Sequence, residues 1–531
     1  MDDGEGRADA LFPHWRPTPE STVLMDAPSW LALLRNRSPP LLLPGAAAAA
    51  PLPLLAAAAT QAATEVGAAS SGSAERAPGD AVFFVGGPVW ALEWCPWPGA
   101  AEPAVQYLAV AAHVATRATN VVGQAVGGPA LLQLWAVPRD GSGGGCLPWM
   151  ALGLVFATGG VVWDAKWCPS AACALPATDG SLPRLGLLAV VLGSGAVQVP
   201  PVVALRPVAE ATPGALGSSL PSSVEWLPLE PHDRLLAPCW DGSAAVWQLD
   251  AEAPGGAGTA QLYLLAHFRV DAAPLRAAVW VPRDAAEVMG CAGDAGRNLV
   301  VTGGHASLLK FWDIRDSEPV LELAGTMSWI VCAAWLAEPL GVVAGQDHGV
   351  LRYFDIGLAD KYVKSPSNVI QGTNAGTIWS VHAREGLVPG TALVAYCGAD
   401  GDVAVCSLPP ENRDRQAHIP VAGVRQRVDV LAVLPDAALA SEAGTFHPKK
   451  QGKDAKARVS DELEALHRVR WSWQPRRPPA ALVHRKRDLG SKILAEEPGL
   501  ALSEHAWLAH GGTAGIVRCH RRAATPAPPG R

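Results

Sequence analysis

Charged residues are scarce in this chain of 531 residues, at 17%, and tyrosine, methionine and phenylalanine number only five, five and eight. Because 49% of the residues are hydrophobic, wholesale disorder is excluded and a sizeable core can form. The ten cysteines include no Cys-x-x-Cys pair, which argues against zinc sites of that kind. The first residues, MDDGE, lack the basic segment of a signal peptide, so we expect reduced thiols in the cytosol or nucleus.

Sequence motifs for enzymatic chemistry are missing as well. The chain has no Walker loop, HExxH motif, EF-hand loop or GxSxG elbow, and residues 452–454 (Gly-Lys-Asp) lack the Ser or Thr that a Walker loop needs after its lysine. We therefore expect no enzymatic activity, no cofactor and no metal. Asp241, Asp347 and Asp400 each lie in a turn close to a glycine, and we expect them to hold these turns by hydrogen bonds rather than to act as acids or bases.

Tryptophan, in contrast, is abundant: its 20 residues outnumber phenylalanine and tyrosine together. The segment GPVWALEWCP at residues 87–96 recurs 73 residues later as GVVWDAKWCP at residues 160–169. Both segments alternate large apolar residues with small or polar ones, which is typical of a β-strand. Weaker copies contain Trp226, Trp280, Trp335, Trp379 and Trp471.

A second element follows most of these strands. It consists of an apolar run, a turn rich in Gly and Asp, and a strand that ends in an aromatic residue, as in residues 235–247 and 299–313. Several short strands per unit with a Trp-Asp-type ending are the pattern of a WD40 β-propeller. We expect the repeated tryptophans to wedge mainly into the blade cores. Those singled out are Trp90, Trp94, Trp163, Trp167 and Trp247.

Seven such units can be counted, which predicts an all-β, seven-bladed WD40 propeller. The seventh unit lacks an outer strand, and residues 81–85 (AVFFV) can supply it from the N-terminal side, which would close the ring and protect its edges. We therefore place the propeller at residues 79–531. On this interpretation, deleting residues 1–78 leaves a cooperative unfolding transition, whereas deleting residues 1–86 abolishes it.

Residues 1–78 form a leader rich in Ala and Pro, which the composition predicts to be disordered. Within it, residues 41–59 are apolar over about the length of a membrane span. Four Pro and Gly residues interrupt this stretch, which favours a flexible linker over a transmembrane helix.

Positive charge is concentrated near the C-terminal end of the chain. Residues 444–493 carry thirteen Lys and Arg against five Asp and Glu, although the whole chain has a net charge of −7. We assign this region to a basic insertion at about residues 435–465 and a loop at about residues 474–503. A solvated loop is the simpler interpretation, and nuclear import or contact with nucleic acid phosphates is the more specific one. The candidate residues are Lys449, Lys450, Lys453, Lys456, Arg476, Arg477, Arg485, Lys486 and Arg487.

A second candidate for function is the segment KFWDIR at residues 310–315. Its Trp312, Asp313 and Arg315 resemble the WDxR signature by which some WD40 proteins dock on cullin-RING ubiquitin ligases. The alternative is an ordinary blade ending with an arginine on the surface.

Several segments together resemble one particular propeller family, the WD40 (beta) subunit of general transcription factor IIIC. They keep that family's order across about residues 83–383, and the paired Val-Trp-x-x-x-Trp-Cys-Pro strands are not shared by WD40 proteins in general. The matching segments are residues 87–96, 106–110, 132–135, 162–169, 184–190, 232–234, 265–267 and 376–380.

This resemblance implies a nuclear, non-enzymatic scaffold that works with the other subunits of a transcription factor IIIC-like complex. Such complexes recognise internal promoters of tRNA-type genes and help to recruit RNA polymerase III machinery, and the subunit reaches promoter DNA mostly through its partners. No membrane or small-molecule partner is implied. Functions housed in the family's long charged N-terminal extensions are not implied for this chain, whose propeller follows an Ala/Pro-rich leader. The alternatives are a substrate receptor of a cullin-RING ubiquitin ligase and another kind of WD40 scaffold.

Overall fold

The structure of the protein is a computed structural model, which describes part of the chain. The described residues are 31, 33–41, 43, 49–60, 80–96, 105–113, 123–138, 147–156, 158–169, 185–199, 209–212, 214–249, 262–288, 295–324, 328–336, 340–356, 367–371, 376–385, 392–399, 401, 403–408, 424–427, 466–471, 505–512 and 514–523.

Most of the described chain forms β-strands, which are numbered in chain order. Four strands precede the first blade: β1 Arg37–Leu41, β2 Ala50–Pro53, β3 Ala57–Thr60 and β4 Asp80–Phe84. Blade 1 consists of β5 Val89–Trp94, β6 Val105–Ala112, β7 Ala130–Pro138 and β8 Trp149–Phe156. Blade 2 consists of β9 Val162–Trp167, β10 Leu188–Leu192, β11 Val197–Val199 and β12 Ala209–Ala211. Blade 3 consists of β13 Glu225–Trp226, β14 Arg234–Pro238, β15 Ser243–Leu249 and β16 Leu262–Arg269.

Blades 4 to 6 repeat the same meander of four antiparallel strands. Blade 4 consists of β17 Leu275–Trp280, β18 Leu299–Gly304, β19 Leu308–Asp313 and β20 Leu321–Ala324. Blade 5 consists of β21 Ile330–Leu336, β22 Gly341–Gln346, β23 Leu351–Asp355 and β24 Ser367–Gln371. Blade 6 consists of β25 Ile378–Glu385, β26 Ala392–Gly398, β27 Val403–Leu408 and β28 Val424–Arg427. A short helix, α1 Arg283–Val288, and a 3₁₀ turn at Gly296–Asn298 lie between β17 and β18.

Blade 7 combines strands from two distant parts of the chain. Its inner strands are β29 Leu466–Trp471, β30 His505–Gly512 and β31 Ile516–Ala523, and β4 pairs with β31 as the fourth strand. The first strands of the blades contact one another in a closed ring that runs from β5 through β9, β13, β17, β21 and β25 to β29 and back to β5. The prediction of a seven-bladed propeller closed by an N-terminal strand is confirmed.

Part of the predicted leader is ordered, which differs from the expectation of disorder. Strand β3 pairs with β4 as a fifth strand of blade 7, and β1 and β2 form a hairpin beside it. Leu41 is buried in a cluster with Val82, Phe84 and Ile516. Composition alone could not show this, because short strands of Ala and Pro gain their stability from the blade against which they pack. Residues 1–30 and 61–79 lie outside the described residues.

The core consists of hydrophobic layers between adjacent blades. Trp135, Trp247 and Phe354 are almost completely buried in three of these layers. Tight hairpins connect the strands, as at Asp241-Gly242, where Gly242 has φ of +91°. Among the described residues, no helix has the length and hydrophobicity needed to cross a membrane.

Candidate binding surface around the central channel

The ring of inner strands encloses a channel with a cavity of about 350 Å³. Its walls are formed by residues of β5, β9, β13, β17, β21 and β25, together with the residues that follow some of these strands. Because neighbouring strands of a blade are antiparallel, the beginning of an inner strand and the turn between the second and third strands lie at the same end of the blade. We call this end of the ring the upper face and the opposite end the lower face.

A β-bulge recurs at the second residue of the inner strands, close to the upper face. In blade 1, Val89 pairs with Ala112 and Ala91 with Ala111, so that Trp90 has no residue directly opposite. A bulge redirects the side chain of the extra residue. The equivalent bulged residues in other blades are Trp163, Arg276, Val331, Trp379 and His467.

Aromatic rings from several blades meet near the upper face. The ring centroids of Trp90 and Trp163 are 6.0 Å apart, and the buried His113 contacts both edge-on at 5.5 and 5.8 Å. Trp163 contacts Trp240 at 6.4 Å, and the guanidinium of Arg276 lies 4.6 Å from the Trp240 ring centroid.

The row of rings continues on blades 4 and 5. His305 stacks on Trp329 with ring centroids 4.2 Å apart and an interplanar angle of 10°. Trp329 is 47% exposed. Burial and the nearby Arg276 charge lower the pKa of His305, although Asp347 opposes this shift. We call these residues the upper rim cluster: Trp90, His113, Trp163, Trp240, Arg276, His305 and Trp329.

Below the rim, three carboxylates and one lysine line the channel wall of blades 1 to 3. Lys166 Nζ lies 3.0 Å from Glu225 Oε1 and 3.6 Å from Glu93 Oε2. Asp164 is buried, lines the cavity and accepts a hydrogen bond of 3.3 Å from the backbone N–H of Val224. Burial raises the pKa of Glu225; Asp164 and Glu93 raise it further, and Lys166 opposes them.

The repeat tryptophans therefore fall into two groups. Trp94 and Trp167, at the lower ends of their strands, are buried wedges, and Trp167 Nε1 donates to the backbone carbonyl of Glu93 at 3.2 Å. Trp247 is 1% exposed and lies in a core between blades. Trp90 and Trp163 lie at the bulges with half-buried rings that contact each other, and Trp163 also packs against the core cluster that contains Trp247.

The two described turn aspartates, Asp241 and Asp347, take part in different hydrogen bonds. Asp241 accepts hydrogen bonds from the Ser219 and Ser243 hydroxyls at 2.6 and 2.7 Å. Burial alone would raise the pKa of Asp241, but these hydrogen bonds and the Arg269 charge lower it. The backbone carbonyl of Asp347 accepts a hydrogen bond from Thr377 Oγ1 at 2.8 Å. Asp400 lies outside the described residues.

The candidate docking residues of blade 4 lie away from the channel, at the end of β19. Trp312 is buried, and its Nε1 donates to Thr302 Oγ1 at 3.0 Å. The Arg315 side chain is 62% exposed and donates two hydrogen bonds to the Asp313 carboxylate, at 2.8 and 2.5 Å. The hydrogen bond from Arg315 lowers the pKa of Asp313. The structure brings these two residues together as a fixed surface pair.

The candidate basic residues cannot be placed, because they lie outside the described part of the chain. These are Lys449, Lys450, Lys453, Lys456, Arg476, Arg477, Arg485, Lys486 and Arg487.

The upper rim cluster was missed at the level of the sequence. An alignment of the inner strands on their terminal tryptophans could have shown that Trp90, Trp163 and Arg276 occupy the same position.

Two known proteins that share one name are similar to this chain in sequence. No family model matches the chain. General transcription factor 3C polypeptide 2 of Homo sapiens is 27% identical over 528 residues, an alignment that covers 83% of this chain and 52% of that protein. The Pongo abelii protein of the same name aligns equally well. The resemblance to the factor IIIC WD40 subunit is confirmed.

The chain spans about half the length of these two similar proteins. Among solved structures, the WD40 β-propeller domain of Doa1 aligns with a TM-score of 0.43 at 12% identity, covering 82% of this chain and 92% of that one. The fold assignment rests on the blade arrangement described above.

Proposed function

We propose that the protein is a non-enzymatic scaffold subunit of a nuclear, transcription factor IIIC-like complex. This complex would recognise internal promoters of tRNA-type genes and help to recruit RNA polymerase III machinery. The observation that carries the proposal is the sequence relationship to general transcription factor 3C polypeptide 2, which extends over 83% of the chain. The repeated inner-strand segments at residues 87–96 and 162–169 carry the resemblance, and residues within 93–96 and 164–169 contribute to the channel wall.

The structure supports a binding role rather than a catalytic one. In the channel, Lys166 is paired with two carboxylates and so is poorly suited to act as a nucleophile. Asp241 is held by a hydrogen bond from Ser243 in its own turn and by another from Ser219. The partners in this proposal are other subunits of the complex, and promoter DNA is reached mostly through them.

Affinity purification of the tagged full-length chain from nuclear extract tests this proposal. Recovery of the other factor IIIC subunits, identified by mass spectrometry, is the expected result. Their absence from the purified material, with the tagged protein itself soluble and nuclear, would contradict it.

Nuclear import by the basic clusters is a separate prediction. Replacing six residues by Gln should move the protein to the cytoplasm, because import receptors recognise clustered positive charge. The six are Lys449, Lys450, Lys453, Arg485, Lys486 and Arg487. A matched variant exchanges Lys for Arg and Arg for Lys at the same positions and should stay nuclear. Unchanged nuclear staining of the Gln variant would refute this role.

One observation favours a second candidate function, that of a substrate receptor for a cullin-RING ubiquitin ligase. The Asp313 carboxylate holds Arg315 as a fixed and exposed guanidinium on the surface of blade 4. If this function is correct, the same purification recovers a cullin adaptor, and Arg315→Ala loses it. Recovery of neither set of partners would leave a WD40 scaffold of another kind.

A further inference from the structure

We propose that Ser38 in the N-terminal hairpin is a phosphorylation site for a proline-directed protein kinase, and that its phosphate releases the hairpin from blade 7. The hairpin consists of β1 and β2, which pair with each other beside that blade. Ser38 lies in the sequence RNRSPP at residues 35–40. This inference goes beyond the proposed function, because it does not depend on which complex contains the protein.

The residue that follows Ser38 indicates the class of kinase. Pro39 has no backbone N–H, so a kinase that requires this donor from its substrate cannot use Ser38. Proline-directed kinases accept proline directly after the modified serine. A residue before proline also prefers an extended backbone, which is the form in which a peptide lies in the substrate groove of a kinase. Ser365 is the other serine of the chain that precedes a proline, and it lies outside the described residues.

The Ser38 hydroxyl is part of the structure of the hairpin. Between the residue pairs 37–53 and 40–51, Ser38 and Pro39 lie opposite the single residue Leu52, which makes this position a β-bulge. The backbone N–H of Leu52 donates to Ser38 Oγ at 2.8 Å, and the hydroxyl donates to the Pro39 carbonyl at 2.6 Å. Ser38 is 1% exposed. The hydroxyl therefore takes the place of a backbone carbonyl in the ladder between the two strands.

A phosphate on Ser38 is incompatible with this position. In the transfer, the bond between the γ-phosphorus of ATP and the bridging oxygen of ADP breaks, a bond to Ser38 Oγ forms, and the hydroxyl proton is released. The product no longer donates to the Pro39 carbonyl, and it carries close to two negative charges. Burial of this charge between two strands is strongly unfavourable. The neighbouring Arg37 is exposed and attracts the phosphate towards solvent, so the modified strand leaves the bulge.

Release of the hairpin changes the outer surface of blade 7 without opening the ring. Leu41 is buried against Val82 and Phe84, and the backbone N–H of Leu55 donates to the Phe84 carbonyl at 3.1 Å. When the hairpin leaves, the apolar surface beneath Leu41 becomes accessible. The pairing of β4 with β31 closes the ring and does not include the hairpin. Phosphorylation of Ser38 thus switches an apolar surface of the propeller between a covered and an accessible state.

Treatment of the full-length protein with an activated cyclin-dependent kinase and ATP tests the assignment of the site. Peptide mass spectrometry should find phosphate on Ser38. Because the kinase reaches Ser38 only when the hairpin opens locally, Leu41→Ala should raise the rate of modification at least threefold. Leu264→Ala, at an exposed position of β16, is the control and should leave the rate unchanged. An absence of phosphate from Ser38 in both the wild type and Leu41→Ala, or equal rates in the two, would overturn the proposal.

A second kinase tests the proposed class. Protein kinase A recognises arginines before the serine, and Arg35 and Arg37 stand three residues and one residue before Ser38. It should nevertheless modify Ser38 at least tenfold more slowly than the cyclin-dependent kinase, because of Pro39. Faster modification by protein kinase A would refute the assignment to a proline-directed kinase.

Hydrogen exchange before and after phosphorylation measures the release of the hairpin. The amides of Leu52 and Leu54, which donate to Ser38 Oγ and to the Asn36 carbonyl, should exchange at least tenfold faster in the phosphorylated protein. A phosphatase should restore the slow exchange. Ser38→Ala, compared with and without kinase treatment, is the control for other sites and should show no change. Unchanged exchange in protein that carries phosphate on Ser38 would show that the hairpin accommodates the phosphate, which contradicts the switch.

Discussion

Two tryptophans four residues apart serve different purposes in the inner strands of blades 1 and 2. Trp94 and Trp167 are buried and line the cavity of the channel, whereas Trp90 and Trp163 are half-buried and contact each other near the upper face. In a regular strand, residues separated by an even number of positions face the same side. The bulge at the second residue breaks this alternation, and one residue type can therefore act both in the core and at the surface.

At the residue scale, a buried glutamine links the closing strand to blade 1. Gln133 Nε2 donates to the backbone carbonyl of Val85 at 2.7 Å, and Trp135 Nε1 donates to Gln133 Oε1 at 2.8 Å. Phe83 of β4 stacks on the same Trp135 ring at 4.1 Å. Gln133 thus satisfies one polar atom on each side of the junction in a site without solvent access.

Gln133→Ala should lower the free energy of unfolding by about 2–4 kcal/mol, because it leaves one buried donor and one buried acceptor without a partner. Urea midpoints measured by tryptophan fluorescence would show the change. Gln198→Ala is the matched control, since Gln198 forms an exposed hydrogen bond with Glu210, and it should stay within about 0.5 kcal/mol. Equal midpoints for the two variants would contradict the proposed junction.

A second prediction at the residue scale concerns the reactivity of the buried Cys239. Burial raises the pKa of the Cys239 thiol to about 12, so at pH 8 only about one molecule in ten thousand carries the reactive thiolate. Iodoacetamide should leave Cys239 unmodified in the native protein at pH 8 and modify it in urea, as measured by peptide mass spectrometry. The half-buried Cys332 should be modified faster. Native modification of Cys239 at the rate of Cys332 would be inconsistent with this burial.

At the scale of elements, the inner strands were predictable from the sequence, and the N-terminal hairpin was not. The inner strands carry an alternating pattern that ends in Trp, and the structure begins them within a few residues of the expected positions, as at Val89 and Val162. The hairpin of β1 and β2 has two consecutive prolines in β1, and prolines are tolerated mainly in edge strands. Its stability depends on contacts with blade 7, which no local pattern reports.

Leu41→Ala tests whether the hairpin contributes to the stability of the propeller. Leu41 is 1% exposed in the cluster with Val82 and Phe84, so its truncation should lower the free energy of unfolding by about 2–4 kcal/mol. Leu264→Ala, at an exposed position of β16, is the control and should change it by less than about 0.5 kcal/mol. Thermal unfolding followed by circular dichroism measures both. No effect of Leu41→Ala would indicate that residues 37–60 behave as a disordered leader after all.

At the scale of the whole molecule, the closed ring was predictable from the sequence. The seventh repeat lacks an outer strand, and the apolar segment at residues 81–85 belongs to none of the repeats. The upper rim cluster was not predictable, because its side chains come from turns and strand starts of five blades. Trp163 and Trp240 are 77 residues apart in the sequence, and only the curvature of the ring places their rings 6.4 Å from each other. Contacts that form only when the ring closes cannot be recognised from the spacing of residues along the sequence.

Truncation should separate the roles of the N-terminal strands. Removing residues 1–30 should leave the unfolding midpoint unchanged, and removing residues 1–78 should lower it while unfolding stays cooperative, because β4 still closes the ring. Removing residues 1–86 should abolish the cooperative transition, since β31 then presents an unpaired edge. Calorimetry of the three truncated proteins measures these outcomes. A sharp transition after removal of residues 1–86 would show that closure is dispensable.

The pairing of β4 with β31 also sets the order of events during synthesis. Residues 80–84 leave the ribosome more than 400 residues before Ile516, their partner, has been made. Although β3 is made before β4, the other edge of the hydrophobic segment AVFFV therefore stays without its partner until β31 has been made, and an exposed strand edge on a nascent chain is a condition in which chaperones are needed and aggregation begins. Such distant pairing also slows folding. We expect blade 7 to close only after residues 516–523 have emerged from the ribosome, however early the other blades form.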